Sequence, residues 1–309
     1  MIVGIIVGSI VLFLLILFFI ALYIFYRFTF YSPLKDQLDD YNIMGSPQFN
    51  NYREKIIKMI DEMRERAYED VWTESYDKLK LHARVFTNKN PKKIAILFHG
   101  YRGTGNRDFC GGAKEALALG YTVVLIDQRA HGLSEGHSIT FGVRESKDAL
   151  TWINFVYEKY GQDIELVLIG ISMGGAIVLN VADKVAKNVK IIADCPFSSP
   201  KSILSNSIKA MKLSVKIFYP LVNLASILFG HTNMNKMSNY DTVKNAQGKI
   251  LIIHGDADTV VPYTNSQDLA NTYPDKIQYE LFHGADHGIS YMVDEDRYRA
   301  IITKFLNEW

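Results

Sequence analysis

The sequence predicts an α/β fold built on a mostly parallel sheet, and two observations carry this prediction. Short, continuous runs rich in Ile, Val and Leu recur with helix-length segments between most of them, at residues 94–98, 122–126, 166–169, 189–193 and 250–253. Such runs are typical of parallel strands that are buried on both faces of a sheet and joined by crossover helices. Polar residues and glycines directly follow most of the runs. Because ligands bind at the carboxyl ends of parallel strands, we expect the functional site at this edge.

The first element is an apolar segment that stands apart from this pattern. Residues 1–26 contain no charged side chain. As a helix they would be roughly 39 Å long, more than the about 30 Å of a bilayer's hydrocarbon core. They lack the basic start and small-residue cleavage site of a signal peptide. We therefore expect residues 1–27 to form a single membrane-spanning anchor, with Tyr23, Tyr26 and Arg27 at the membrane interface.

Charge and cysteine content exclude several classes of protein. Lys and Arg (34) nearly balance Asp and Glu (33), so the formal charge is +1 and gives no reason to expect a nucleic-acid partner. Arg27 and Lys35 follow the anchor and no basic residue precedes it, which favours a cytoplasmic location for the rest of the chain. Cys110 and Cys195 are too few for a disulfide framework, and we expect free buried thiols.

The segment that follows the anchor leads into the main domain. We expect residues 28–69 to be a linker and an amphipathic helix that packs on the domain or lies at the membrane surface. Apolar residues recur there at helical spacing: Tyr52, Ile56, Met59, Ile60 and Met63. Residues 72–86 alternate around Asp77-Lys78, which predicts an opening β-hairpin. The main domain is therefore expected to cover residues 70–309.

A long insertion interrupts the alternation of strands and helices. Residues 198–247 contain no strand pattern but two apolar, partly helical stretches, the second interrupted by Pro220. We expect a helical cap over the strand ends, with its apolar face lining the substrate site. The alternative is a set of extra core helices with no role in binding.

The strongest chemical signal lies between the third run and the next helix. Gly170-Ile171-Ser172-Met173-Gly174 has the G-x-S-x-G form, in which flanking glycines allow a sharp strand-to-helix turn that presents a serine nucleophile. A serine hydroxyl also needs a base to take its proton. The sequence therefore predicts Ser172 as the nucleophile and Gly170 and Gly174 as the glycines of the turn.

The base and the acid are expected after Ser172 in the order Ser, acid, His. Asp258 follows the run at 250–253 and can turn back toward the strand ends, while His287 lies on a glycine-flanked loop. The competing pair is Asp256 and His283, which lie closer to the strands. A metal site at His283 and His287 is disfavoured because glycines predict a loop and no His-Glu-x-x-His motif occurs. No cofactor or metal is expected.

An oxyanion hole needs two backbone N–H groups. Met173, directly after the nucleophile, and Tyr101, in the loop after His99-Gly100, are the predicted donors. Arg102 in the same loop is a candidate contact to a polar substrate group. Other polar residues at the strand ends are expected to form buried hydrogen-bond networks: His99, Asp127, Arg129, His131, Asp148 and His254.

Five separated motifs together resemble the α/β-hydrolase superfamily, and most resemble its serine-aminopeptidase-like and monoglyceride-lipase-like branch. They are His99-Gly100, the stretch Asp127-Gln128-Arg129-Ala130-His131-Gly132-Leu133-Ser134, and residues 170–175, 254–262 and 283–288. The resemblance covers roughly residues 70–309. It implies an eight-stranded sheet with helices on both faces and a helical cap after the sixth strand. Ala130 and Lys78 depart from glycines that are frequent in the family, and neither departure touches the chemistry.

The expected activity is that of a serine hydrolase that cleaves carboxylic esters or thioesters through an acyl-enzyme on Ser172. The apolar insertion and the anchor favour a lipid-like acyl substrate. A serine peptidase or an acyltransferase could use the same triad. A membrane-tethered binding module without turnover is the alternative from another class.

Overall fold

The computed structural model describes residues 2–32, 39–43, 45–90 and 92–308. Pro33 and Lys35, on which the linker and orientation predictions partly rest, lie outside these residues. One sheet contains the strands β1 (Glu69–Glu74), β2 (Lys80–Phe86), β3 (Lys93–Phe98), β4 (Thr122–Asp127), β5 (Glu165–Ile171), β6 (Lys190–Asp194), β7 (Ile250–Gly255) and β8 (Ile277–Phe282).

The strand order is β1-β2-β4-β3-β5-β6-β7-β8. Strands β1 and β2 form the predicted antiparallel hairpin, and β2 also pairs antiparallel with β4. All pairings from β4 through β8 are parallel. The apolar side chains of β3 are fully buried, as a central strand covered on both faces requires. The predicted eight-stranded, mostly parallel sheet is confirmed.

Helices cover both faces of the sheet. They are α1 (Ile2–Thr29), α2 (Pro47–Arg64), α3 (Gly105–Asp108), α4 (Gly112–Ala118), α5 (Glu145–Tyr160), α6 (Met173–Asn180), α7 (Pro200–Ala210), α8 (Val215–Gly230), α9 (Asn239–Asn245), α10 (Thr264–Thr272), α11 (Ser290–Val293) and α12 (Glu295–Asn307). Helices α2, α4 and α12 pack against one face, and α5 and α6 against the other, where α8 belongs to the same apolar core. The predicted amphipathic helix is α2, which buries Ile56, Met59, Ile60 and Met63 against the domain.

Helix α1 is, within the described residues, the one helix long and apolar enough to cross a membrane. Its residues through Ala21 are exposed on all sides. Its last turns are different, because Leu22 and Tyr26 are buried against the rest of the protein, as is Phe30 just beyond the helix. The Tyr26 hydroxyl is 2.6 Å from the Ser138 hydroxyl. Tyr26, expected to face the membrane interface, therefore packs into the protein instead.

The insertion after the sixth strand is helical, as expected. It contains α7, α8, a short 3₁₀ turn at Met234–Lys236, and α9. Helix α8 continues through Pro220 without a break. Helix α8 packs against both α7 and α1, so the cap lies beside the end of the apolar N-terminal helix.

Candidate active site

The backbone between β5 and α6 makes a sharp turn that only small residues permit. Ser172 at the turn has φ of 55° and ψ of −112°, a conformation that is costly for a residue with a side chain. A Cβ on Gly170 would lie 2.1 Å from the Gly174 carbonyl oxygen, and a Cβ on Gly174 would lie 1.7 Å from the Phe98 carbonyl oxygen. Both glycines are thus required by packing, and the turn projects Ser172 beyond the carboxyl end of β5.

Three predicted residues from separate loops form one chain of hydrogen bonds. The Ser172 hydroxyl donates to His287 Nε2 over 2.8 Å. His287 Nδ1 donates to Asp258 Oδ2 over 2.7 Å. The other oxygen of Asp258 accepts the amides of Val260 (2.8 Å) and Val261 (2.7 Å), which fixes the carboxylate. We call Ser172, His287 and Asp258 the candidate triad. Its geometry matches a nucleophile, a base and an orienting acid.

His254 also contacts the acid of the candidate triad, a role that sequence reasoning missed. Its Nε2 donates to Asp258 Oδ2 over 3.1 Å, and its Nδ1 accepts the Ser266 hydroxyl over 2.7 Å. Burial alone would raise the pKa of Asp258, but hydrogen bonds from His254 and His287 outweigh it, so the pKa is well below its ordinary value. The ionised form of Asp258 is therefore favoured. In the sequence, the only indication of this contact is that His254 and Asp258 lie four residues apart.

The loop that carries Tyr101 is held from several sides. The Tyr101 hydroxyl donates to the Thr29 carbonyl over 2.8 Å, and its ring stacks on Phe141 at 4.9 Å. The Tyr101 amide donates to no other group in the described part of the chain. Met173 is the first residue of α6, where backbone N–H groups have no intrahelical acceptor. Both amides are thus available for the predicted oxyanion contact.

Arg102 does not reach toward a substrate position. Its guanidinium donates to the carbonyls of Phe28 (2.9 Å) and Tyr31 (3.2 Å), at the end of the N-terminal helix. The expected contact between Arg102 and a polar substrate group is therefore replaced by a structural contact. A guanidinium offers several donors in a plane, which suits the unpaired carbonyls at a helix end.

The other polar residues at the strand ends form buried networks, as predicted. His131 Nδ1 donates to the Arg129 carbonyl and its Nε2 accepts the Arg102 amide, while burial lowers the pKa of His131 to about 3 and keeps it neutral. Arg129 makes an ion pair with Asp148. Asp127 accepts a hydrogen bond of 2.7 Å from His82.

The competing acid–base pair lies elsewhere. His283 Nδ1 donates to Asp256 Oδ2 over 2.8 Å, but the His283 side chain is exposed and neither residue contacts Ser172. His283 and His287 thus have different carboxylate partners. Cys195 has its Sγ 4.0 Å from His287 Nε2, and no sequence signal indicated this contact. Burial raises the pKa of the Cys195 thiol.

A cleft of about 360 Å³ opens next to Ser172 and His287. Its walls are mostly apolar and come from α2, α4, β5 and α12, including Phe49, Ile56, Ala116, Val167, Ile169 and Ile302. A strand rises roughly 3.3 Å per residue, so the step from Ile171 to Val167 gives the cleft a length of about 13 Å. The site therefore joins a serine, a histidine and a long apolar space.

The cap does not line this cleft. None of its lining residues comes from 198–247; the segment that closes it is α2 with the loop before it, through Ile43, Phe49 and Ile56. The apolar face of the cap, expected to line the substrate site, therefore does not line this cleft. The cap packs on the opposite side of the sheet, against α1 and α6.

Comparison with known proteins places the chain among hydrolases. A family model described as serine aminopeptidase, S33, matches residues 89–247, slightly more than half of the chain. The chain belongs to this family. The matched region of this hydrolase contains Ser172 but ends before Asp258 and His287. Its fold is the α/β-hydrolase fold implied by the sequence motifs.

Individual relatives of this hydrolase are distant. YqkD of Bacillus subtilis is 24% identical over 62% of this chain, and the match spans 64% of that protein. A Mycobacterium tuberculosis protein is 23% identical over 78% of this chain and 80% of its own length. Among solved structures, the esterase Pf2001 of Pyrococcus furiosus has a TM-score of 0.65 at 24% identity and covers 80% of this chain and 93% of its own. A serine hydrolase homologue from Coxiella burnetii has a TM-score of 0.54 at 19% identity, over 76% and 96%.

Proposed function

We propose that this hydrolase is a membrane-anchored serine esterase that cleaves carboxylic esters or thioesters of lipid-like acyl groups. One observation carries the proposal: the hydrogen-bonded chain of Ser172, His287 and Asp258 opens onto a long apolar cleft. A cleft of this kind favours an unbranched acyl chain with its carbonyl at Ser172. The name of the Pyrococcus furiosus neighbour, an esterase, agrees with this substrate class.

The proposed reaction has two acyl transfers. His287 Nε2 takes the Ser172 proton as Oγ bonds to the carbonyl carbon, and the amides of Tyr101 and Met173 stabilise the oxyanion. The ester bond then breaks, and His287 returns the proton to the departing alcohol or thiol. Water, deprotonated by His287, attacks the acyl-enzyme, which releases the acid and restores Ser172. Asp258 remains a carboxylate and stabilises the positively charged imidazole.

The anchor proposal rests on helix α1. Its exposed part, up to Ala21, is roughly 30 Å long at 1.5 Å per residue, which is the thickness of a hydrocarbon core. We propose that this part spans the membrane and that the hydrolase unit begins at Leu22, the first residue of α1 that is buried against it. This boundary lies slightly before the residue 27 that composition predicts.

The proposal is tested by labelling the full chain with a fluorophosphonate probe, which reacts with activated serines. Wild type is expected to label, whereas Ser172→Ala and His287→Ala should lose the label because nucleophile and base are removed. His283→Ala is the matched control, since His283 belongs to the exposed pair with Asp256, and it should label like wild type. A folded wild-type protein that stays unlabelled in detergent would contradict the enzyme proposal and favour a tethered binding module.

Peptidases and acyltransferases would label in the same way. A series of p-nitrophenyl esters of increasing chain length and a set of aminoacyl-arylamides separates the first alternative, because the apolar cleft favours the long esters. An acyltransferase would give more ester product than acid when an acceptor alcohol is added.

A further inference from the structure

Helix α8 is apolar on two opposite faces, although only one of them is covered by protein. The covered face includes Tyr219, Val222 and Ala225. The opposite face exposes Ile217 (61%) and Leu228 (40%), and between these two residues the sequence has no charged side chain. A surface helix in water has polar residues on its outer face. The outer face of α8 therefore fits an environment less polar than water.

The contacts with α1 give the direction of α8. The Phe218 ring lies 6.3 Å from Phe25, and the Phe229 ring lies 5.3 Å from Tyr23 and 5.8 Å from Tyr26. In these ring contacts, two residues that lie roughly 16 Å apart along α8 meet residues of α1 that lie within about 5 Å of one another along its axis. Two helices that ran side by side would not bring these residues together. Helix α8 therefore crosses α1 at a steep angle.

Helix α8 crosses α1 just after the exposed part of α1 ends. The helix is exposed through Ala21, and its first buried residue is Leu22. If the roughly 30 Å up to Ala21 span the hydrocarbon core, then Tyr23 to Tyr26 lie at its boundary. A helix that crosses α1 steeply at this height extends along the plane of the membrane surface.

The charge of the cap complements an anionic surface. From Cys195 to Tyr240 the sequence contains no Asp or Glu. Lys209, Lys212 and Lys216 are exposed directly before the apolar part of α8, next to the exposed Met211 and Leu213. Interfacial helices combine an apolar face with lysines in this way.

We propose that α8 is a second membrane contact, which lies in the interface on the hydrolase side with its outer face among the lipid acyl chains and with Lys209, Lys212 and Lys216 among anionic headgroups. The proposal rests on the anchoring by α1 and goes beyond it. Helix α8 does not span the bilayer, because its 16 residues would reach only about 24 Å and one face packs on the protein.

The test measures how deeply single sites lie in the bilayer. The full chain is placed at one copy per nanodisc in lipid with an anionic component, and a fluorophore that responds to polarity is attached at Ile217→Cys or Leu228→Cys. The native thiols of Cys110 and Cys195 are buried, which limits background labelling. Nitroxide lipids report proximity to the acyl chains. Asn271→Cys, on the exposed side of α10, is the water-facing control, and Ile10→Cys in α1 reports the anchor separately.

We expect strong quenching at 217 and 228 by nitroxides near the headgroups, strong quenching at 10 by deep nitroxides, and little at 271. Suppose that the fluorophore at position 10 is quenched, but those at positions 217 and 228 are quenched no more than the control at position 271. This result would overturn the α8 proposal and leave the anchor proposal intact. No quenching at 10 would overturn both. In a separate preparation with two copies per disc, a blue shift at positions 217 and 228 that comes without nitroxide quenching and is absent at one copy per disc would assign the face to a second copy and also overturn the proposal.

Discussion

Asp194 is a buried carboxyl group at the inner wall of the cleft that the proposed acyl transfer does not use. Its backbone carbonyl accepts the Ser172 amide over 2.8 Å, and its Oδ2 accepts the Tyr298 hydroxyl over 2.8 Å. Oδ1 has no hydrogen-bond partner among the residues that the structure describes. Burial raises the pKa of Asp194 to about 6. The ionised form of Asp194 therefore costs stability at neutral pH.

Replacing Asp194 should change how stability depends on pH. With the folded-state pKa raised above the unfolded value, wild type loses stability as pH rises from about 4 to about 6, and the loss persists above this range. Asp194→Asn is neutral throughout, so its stability relative to wild type should be more favourable at pH 8 than at pH 4.5, by about 2 kcal/mol. Thermal unfolding in detergent at both pH values measures this. A relative stability that is the same at both pH values would contradict the assignment, and Asp296→Asn controls for loss of a surface charge.

The cleft, at the scale of elements, is formed by the packing of helices α2, α4 and α12 on β5. Ala116 on α4 is a small residue in its wall and belongs neither to the candidate triad nor to the loop that carries Tyr101. A bulkier side chain there would shorten the space left for an acyl chain without touching the candidate triad.

Ala116→Phe should therefore shift the preference for chain length. We expect kcat/KM for long-chain esters to fall by tenfold or more, since about 1.4 kcal/mol of lost apolar contact corresponds to tenfold. Activity on acetate and butyrate esters should stay within about twofold of wild type. Retained activity on these short esters would show that the variant is folded. Equal losses on short and long esters would mean that the acyl chain does not occupy the cleft. The measurement is a chain-length series on both proteins.

Local sequence signals predicted the strands and the candidate triad because their causes are local. Gly170 is required by a backbone approach within the turn, whereas Gly174 is required by the approach of the Phe98 carbonyl on β3. The apolar runs follow directly from burial on both faces. The position of the cap was not predictable in the same way. Which side of the sheet it covers depends on contacts between Tyr23 and Phe229, about two hundred residues apart in sequence. The pairing of Arg102 with Phe28 depends on the same long-range docking.

At the scale of the whole molecule, α1 has two different parts: its first turns are exposed, and its last turns pack against the rest of the protein. Leu22 and Tyr26, with Phe30 beyond the helix, pack in the same core as the sheet, and Thr29 and Phe28 accept hydrogen bonds from the Tyr101 loop. The exposed turns before Leu22 contribute little to this core. The two parts of α1 should therefore respond differently to truncation.

Removal of residues 1–20 should leave the unfolding temperature and the rate of fluorophosphonate labelling close to those of the full chain. Removal of residues 1–32 should lower both, because each buried apolar side chain contributes about 1.5–3 kcal/mol and the Tyr101 loop loses its acceptors. Both truncated chains are compared with the full chain in the same detergent. Equal behaviour of the two would show that the end of α1 is dispensable.

The hydrogen bond from Tyr101 to Thr29 joins the predicted oxyanion loop to the point where, in the proposed arrangement, α1 leaves the bilayer. An enzyme held in this way meets its substrate by lateral diffusion within one leaflet. The concentration that sets its rate is then the mole fraction of substrate among the surrounding lipids, and inert lipid acts as a diluent even when the bulk volume is unchanged. Lipid composition would thereby regulate turnover without a regulatory ligand.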